Sequence, residues 1–290
     1  MDFKAIALGL IFAVMWSSAF ASARIILLDA PPLWSLALRF LISGGIAVGL
    51  ARALGQSWHL PRPQARAVVI LGLCQNALYL GLFFVAMQRI EASLASIIAS
   101  AMPLIVAALG WALRGERLPP LGIAGMVAGF AGVAIIMGSR IEAGADPVAV
   151  GLCVAGAMAL AVATLTVRGA SGGGNLLMVV GLQMLVGSAA LAAVAAGTEP
   201  FHVTPTLRLA LAFAYQIAVP GLAATLIWFS LIARIGAVKA SAFHFLNPFF
   251  GVLIAAMLLG EEVSGLDMVG VAIATFGILA VQMARMARTG

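Results

Sequence analysis

Charge is what this chain has least of. Asp, Glu, Lys and Arg together make up 9% of its 290 residues, where a soluble domain carries about 25%. Hydrophobic residues make up 63% and the mean hydropathy is +1.15. No water-soluble fold hides that much apolar chain, so lipid is the solvent for most of it. Acid is missing where it would matter most: all ten Asp and Glu residues fall in termini, connections or span ends. That rules out paired-carboxylate hydrolysis and a carboxylate metal site inside the membrane. It also withholds the buried acid that proton- and sodium-driven carriers commonly use as a relay. There are two cysteines, Cys74 and Cys153, each inside an apolar run. They read as small buried hydrophobes, not as a disulfide or metal pair. The net charge of +6 comes without a basic stripe interleaved with aromatics. The basic residues sit at span ends, where anionic headgroups attract them, so no nucleic-acid partner is implied. Nothing points to a cofactor or a metal.

What is present is a series of long apolar runs. A membrane span needs about 20 mostly apolar residues, and ten segments qualify: 4–27, 33–54, 67–88, 92–113, 119–138, 147–168, 175–197, 207–230, 237–258 and 264–284. Short connections rich in Pro, Gly and charge separate them, among them Asp29-Ala30-Pro31-Pro32, Gly115 to Pro120 and Ser171-Gly172-Gly173-Gly174. No connection is long enough for a soluble domain. The first run, with Lys4 before it and Ala21-Ser22-Ala23 near its end, imitates a signal peptide. Its removal would leave one half of the chain without a partner helix, so it is expected to stay as span one.

The chain also echoes itself at an offset of 145 residues. Arg89-Ile90 falls on Arg234-Ile235, Pro103 on Pro248, Gly115-Glu116 on Gly260-Glu261, and Gly125 and Gly132 on Gly270 and Gly277. From Phe84 to Gly132 there are 13 identities in 49 ungapped positions. A repeat of five spans must enter the membrane twice in opposite orientations, the architecture of secondary transporters with a site between the repeats near the midplane. The expected fold is an all-α integral membrane protein of ten transmembrane helices in two inverted five-helix repeats, residues 1–143 and 144–290. With both termini in the cytoplasm, eleven Lys and Arg residues lie inside, Arg117, Arg168 and Arg288 among them, and four outside. That satisfies the positive-inside rule. Arg89 and Arg234 are equivalents on opposite sides, so the charges support inversion independently of the span count.

Polar residues inside spans are the candidates for a site, because lipid makes them expensive. Substrate contacts are expected from Trp16, Ser17, Arg39, Gln75, Tyr79, Ser100, Gln183, Tyr215, Gln216, Phe243, His244 and Asn247. Gln75 and Tyr79 share one helical face, as do Ser241, His244 and Asn247. Serines in membrane helices commonly bond their own backbone instead. Arg39 could reach the headgroups or meet an anionic group in a cavity. His244 and Asn247 resemble a catalytic dyad, but no nucleophile or buried acid accompanies them, so the chain is not expected to be an enzyme. Pro103 and Pro248 occupy equivalent mid-span positions, where proline bends a helix, and are expected to act as gating kinks. Gly122, Gly125, Gly129 and Gly132, echoed by Gly270 and Gly277, form a small-residue face for scaffold or dimer contacts.

At Trp16-Ser17-Ser18-Ala19-Phe20, Leu38-Arg39-Phe40, Gly115-Glu116-Arg117 and the second Gly260-Glu261 copy, the chain resembles the drug/metabolite transporter (DMT) superfamily, EamA type. Within it the pattern is most similar to YddG-type exporters of aromatic amino acids. The resemblance covers essentially the whole chain. It implies ten helices around a central cavity, helices five and ten set aside, and a small zwitterionic or neutral solute as the partner besides lipid. The expectation is an amino acid exporter of the bacterial inner membrane, a monomer or weak homodimer. Another small solute, such as a purine or organic cation, and a non-transporting scaffold are the alternatives. The echo fails where Ala99-Ser100-Ala101-Met102 faces His244-Phe245-Leu246-Asn247, and an asymmetric solute should be gripped there.

Overall fold

Ten helices long and apolar enough to cross a membrane run through a computed structural model that describes residues 3–116, 118–166 and 175–287. They are α1 (Phe3–Ile26), α2 (Pro32–Ala53), α3 (Arg62–Ala86), α4 (Ala92–Leu113), α5 (Pro120–Glu142), α6 (Pro147–Thr166), α7 (Leu176–Thr198), α8 (Leu207–Ile232), α9 (Lys239–Leu259) and α10 (Gly265–Met286). No strand occurs among the described residues. The expectations for Arg117, Arg168, Arg288 and the Ser171-Gly172-Gly173-Gly174 connection fall outside them. The chain is a multi-pass membrane protein. Below, the N-face is the side where α1 begins, and the distal face is the other.

Helix limits follow from local chemistry. Proline opens α2, α5 and α6 at the first helical turn, where a missing N–H costs nothing. Gly115 and Gly260, at φ of 63° and 68°, stop α4 and α9 in the left-handed conformation. The Thr206 side chain caps α8, and Ser264 with Asp267 forms a capping box on α10. Two limits differ from the expectation by more than two residues. Helix α3 begins at Arg62, five residues earlier, because Pro63 suits its first turn. Helix α5 continues to Glu142, four residues further, because Arg140 is held on its last turn by acids of α10 and of the α3–α4 connection.

Equivalent helices of the two repeats pack on one another: α2 on α7, α5 on α10, and the first half of α4 on the second half of α9. The pseudo-two-fold axis therefore passes through these three pairs. The glycine face joins α5 to α10 backbone to backbone. A Cβ on Gly132 would sit 2.6 Å from the Ala274 nitrogen and 2.7 Å from the Gly270 oxygen, and one on Gly277 would collide with the Gly129 backbone. Those glycines are thus consumed within the chain as scaffold contacts. Cys153 is buried and Cys74 half-buried, and both are free.

Candidate functional site: a cavity between the repeats

Four helices depart from α geometry, in two equivalent pairs. Helix α3 is π-helical over Gly72–Tyr79 and α8 over Ile217–Ala223, and 72 + 145 is 217. Helix α4 breaks at Ala101 and resumes at Met102–Arg114, while α9 narrows to a 3-10 turn at Phe243–Leu246 before Asn247–Leu259. Pro103 and Pro248 each lie at the second position of the resumed half, where proline is tolerated, so each break falls just before its proline. Pro220 lies inside the α8 π segment. π segments inside α-helices are frequent at functional sites.

Between these helices, and walled also by α1, α2, α6 and α7, lies a cavity of about 300 Å³, the lower end of the range for small-molecule sites. Its wall is largely aromatic. The His244 ring stands edge-on to Phe12, Trp16 and Trp228, with centroids 5.3, 6.0 and 5.2 Å away, and Phe12 stacks on Trp228 at 4.8 Å. Phe20, Phe40, Tyr79, Phe83 and Phe84 line the remainder. The polar wall is made of Arg39, Gln75, Asn76, Gln183 and Gln216. Asn76 donates to the Gln183 carbonyl at 2.9 Å, and Gln216 Nε2 donates to the Ala19 carbonyl and Ser22 Oγ at 2.6 and 2.9 Å. The buried Oε1 atoms of Gln183 and Gln216, and Arg39 Nε, have no hydrogen-bond partner. No Asp or Glu is among the lining residues.

The structure brings seven of the twelve expected contact residues into this wall: Trp16, Arg39, Gln75, Tyr79, Gln183, Gln216 and His244. It places the other five behind or beside it. Ser17 Oγ donates to the Asn247 carbonyl, and Ser100 Oγ is taken by the Ser96 carbonyl of its own helix. Tyr215 is 38% exposed, with its hydroxyl 2.7 Å from Ser18 Oγ. Phe243 packs against Gly9, Ala5 and Leu231. Asn247 backs the site, with Nδ2 2.9 Å from His244 Nδ1. Ser241 faces Gln282 of α10 instead of the cavity. Sequence reasoning missed Phe12, Phe40 and Phe83, whereas Trp228, which the sequence offers either as cavity surface or as an interface anchor, is in the wall. Trp111, by contrast, is 55% exposed and lies outside the cavity.

Most of the acids gather on the distal face, where Arg89, Arg140 and Arg208 pair with them. Arg140 of α5 binds both carboxylate oxygens of Asp267 at 3.1 and 2.8 Å, the Glu262 carbonyl, and Glu91. Glu261 takes the first two free N–H groups of α4, from Ala92 at 2.7 Å and Ser93 at 2.9 Å. Glu199 does the same for Leu33 and Trp34 of α2. Asp29 bonds Arg208 and Thr206 across the α1–α8 gap. The Arg208 and Thr206 hydrogen bonds hold the Asp29 carboxyl below its usual range, and Arg89 does so for Asp146. Partial burial raises Glu91 and Glu199 above theirs. On the N-face, the second half of α4 packs on α6 and the start of α9 on α8 and α10, so α4 and α9 diverge toward that side. Among the described residues no group of three His, Cys, Asp or Glu could hold a metal.

Residues 3–138 and 148–283 each match the EamA-like transporter family. The chain belongs to that family. The two EamA-like stretches begin 145 residues apart, the offset of the internal echo. The chain is 24% identical to an uncharacterized transporter, YvbV, of Bacillus subtilis, over 87% of this chain and 82% of the relative. It is 25% identical to an uncharacterized inner membrane transporter, YedA, of Escherichia coli, over 96% and 90%. The aromatic amino acid exporter YddG of Ancylobacter novellus is 35% identical, but over only 38% of each chain. A solved crystal structure superposes with a TM-score of 0.71 at 23% identity, covering 99% of both chains, a likeness of fold.

Proposed function

We propose that this EamA-like protein exports aromatic and other neutral amino acids across the bacterial inner membrane by alternating access. The observation that carries the reading is the cavity: small, aromatic and amide-lined, with ion pairs and helix caps at the distal face, and bounded by four helices that lose α geometry at equivalent positions. Inverted repeats that rock about such a site expose it to each side in turn. With the termini cytoplasmic, as the distribution of Lys and Arg favours, the N-face is cytoplasmic and the distal ion network faces outward. The partial likeness to an aromatic amino acid exporter supports the solute class. With no carboxylate among the described lining residues, facilitated diffusion or exchange is favoured over carboxylate-based proton coupling. Purified protein in liposomes loaded with labelled phenylalanine, tyrosine or tryptophan tests this. Flux above protein-free liposomes is expected, without a stoichiometric change of internal pH. No amino acid flux, with movement of a sugar phosphate, purine or organic cation, would refute it.

A further inference from the structure

We infer that Arg39 is an anion subsite of the cavity and that the solute presents a carboxylate to it. The inference rests on the transport reading and adds which end of the solute is held, and by what. Arg39 lies seven residues into α2, about 10 Å along the helix from its distal end. It is 6% exposed and lines the cavity, so it does not snorkel to headgroups. Among the described residues its buried Nε has no hydrogen-bond partner, and its one electrostatic interaction is with the Phe40 ring, 5.2 Å from the guanidinium carbon. A buried guanidinium N–H with no acceptor costs free energy until a partner supplies one. No acid among the described residues relieves it. Asp29, Glu91, Asp146, Glu199, Glu261 and Asp267 are all engaged in caps and ion pairs at the distal face.

The neighbouring polar wall has the opposite character. Gln216 has its amide orientation settled by its two Nε2 bonds, which leaves Oε1 purely an acceptor. Gln183 Oε1 is likewise unpartnered. One guanidinium fork and two free carbonyl acceptors complement a carboxylate and an ammonium, the ends of an α-amino acid. The aromatic box around His244 is then left for the side chain. An organic cation leaves Arg39 unpaired, and a purine offers it neutral ring acceptors but no negative charge. A phosphate ester brings more negative charge than this one guanidinium balances, because among the described residues no other Lys or Arg lines the cavity.

The test is ligand binding by the purified full-length protein in detergent, read as a thermal shift. The probes are phenylalanine, 3-phenylpropionate and phenethylamine, in low and high chloride. Wild type should bind both carboxylates at least tenfold more tightly than the amine. Arg39→Gln should abolish that preference, and Arg39→Lys should keep part of it, as a charge without the planar fork. Without ligand, Arg39→Gln should melt no lower than wild type, because an uncompensated charge has been removed. A lower melting point would make Arg39 a structural group and overturn the assignment. So would binding of phenethylamine as tight as phenylalanine, binding of neither carboxylate, or stabilisation by chloride alone equal to that by phenylalanine. Carboxylate binding without liposome flux would leave the subsite standing and sink the transport reading.

Discussion

Glu261 is the distal latch whose loss should be easiest to measure. Its two carboxylate oxygens accept the Ala92 and Ser93 N–H groups, at 2.7 and 2.9 Å, so a residue of the second repeat satisfies the first N–H groups of α4 in the first. Glu261→Gln keeps one acceptor oxygen and loses the other, together with the charge facing the helix dipole. A hydrogen bond to a charged group is worth ~1.5–3 kcal/mol, and a charge at a half-exposed helix N-terminus ~0.3–1 kcal/mol. Taking about 2 kcal/mol as the net loss, the equilibrium between closed and open distal ends moves roughly 30-fold toward open. Phe84→Cys, in a background with Cys74 and Cys153 replaced, reports that opening through its reaction with a membrane-impermeant thiol reagent added on the distal side. The labelling rate follows the open population, so it should rise roughly 30-fold. Glu262→Gln is the control, because only the backbone carbonyl of Glu262 binds Arg140. Glu116 is the equivalent of Glu261, since 116 + 145 is 261. Inversion gives it the start of α9 to cap when the N-face closes, and Glu116→Gln should slow distal labelling. Equal rates in the Glu261→Gln and Glu262→Gln variants would refute the latch.

Three further outcomes follow from the same contacts. Gly132→Ala drives a Cβ into the Ala274 and Gly270 backbones at 2.6 and 2.7 Å and should lower stability by ~1–3 kcal/mol as overpacking. Gly138→Ala, which meets nothing within 4 Å, should be neutral or slightly stabilising in a thermal melt. Trp228→Ala removes one partner of His244 and Phe12, worth ~0.5–1.5 kcal/mol, so the KM for aromatic amino acids should rise roughly 2- to 10-fold while that for alanine stays unchanged. Asp29 titrates below its usual range through Arg208 and Thr206. The unfolded chain therefore binds the proton first, and this stability is complete above about pH 4 and lost as pH falls through the lowered native value. Between pH 5 and 3 the melting temperature of Asp29→Asn should fall less steeply than that of wild type.

The spans were legible because crossing lipid requires length and apolarity, which composition displays directly. Only ends governed by single contacts escaped: Pro63 extends α3 backward, and Arg140 extends α5 toward Asp267 and Glu91. Arg39, Gln75, Gln183, Gln216 and His244 were visible as site candidates because polar groups in lipid are costly. Ser17, Ser100 and Asn247 looked alike in sequence, yet their groups are spent on carbonyls or on His244, and no spacing rule reveals that. The phenylalanine wall was invisible because a ring facing a cavity and a ring facing lipid have the same composition. The π segments left almost no mark. Pro220 signals the one in α8, but the equivalent position in α3 is Gln75, which a regular helix would also accept.

The same inverted repeat is tied in different ways along its three contact pairs. In the α2–α7 pair both equivalent caps exist at once: Glu199 accepts the Leu33 N–H on the distal face, and Gln56 Oε1 accepts the Met178 N–H on the N-face at 3.0 Å, with 33 + 145 equal to 178. In the α5–α10 pair the backbones interlock along their length through Gly125, Gly132 and Gly277. Neither pair has slack to give at one face alone. The α4–α9 pair is different: it is joined in its distal half, where a Cβ on Gly251 would run into Ser96, and diverges toward the N-face, with each helix broken near its middle. Its neighbours α3 and α8 carry the π segments, whose longer hydrogen-bonded loops are looser than an α ladder. Motion in such a bundle follows the helices that are weakest at mid-membrane, and these are the helices that bear Gln75, Tyr79, Gln216 and His244. The groups placed to touch the solute thus sit on the elements most able to move, while Arg39 and Gln183 sit on the pair that is tied at both ends. A solute held by its carboxylate on the fixed α2–α7 pair and by its body on the moving helices couples its own binding to which face is open.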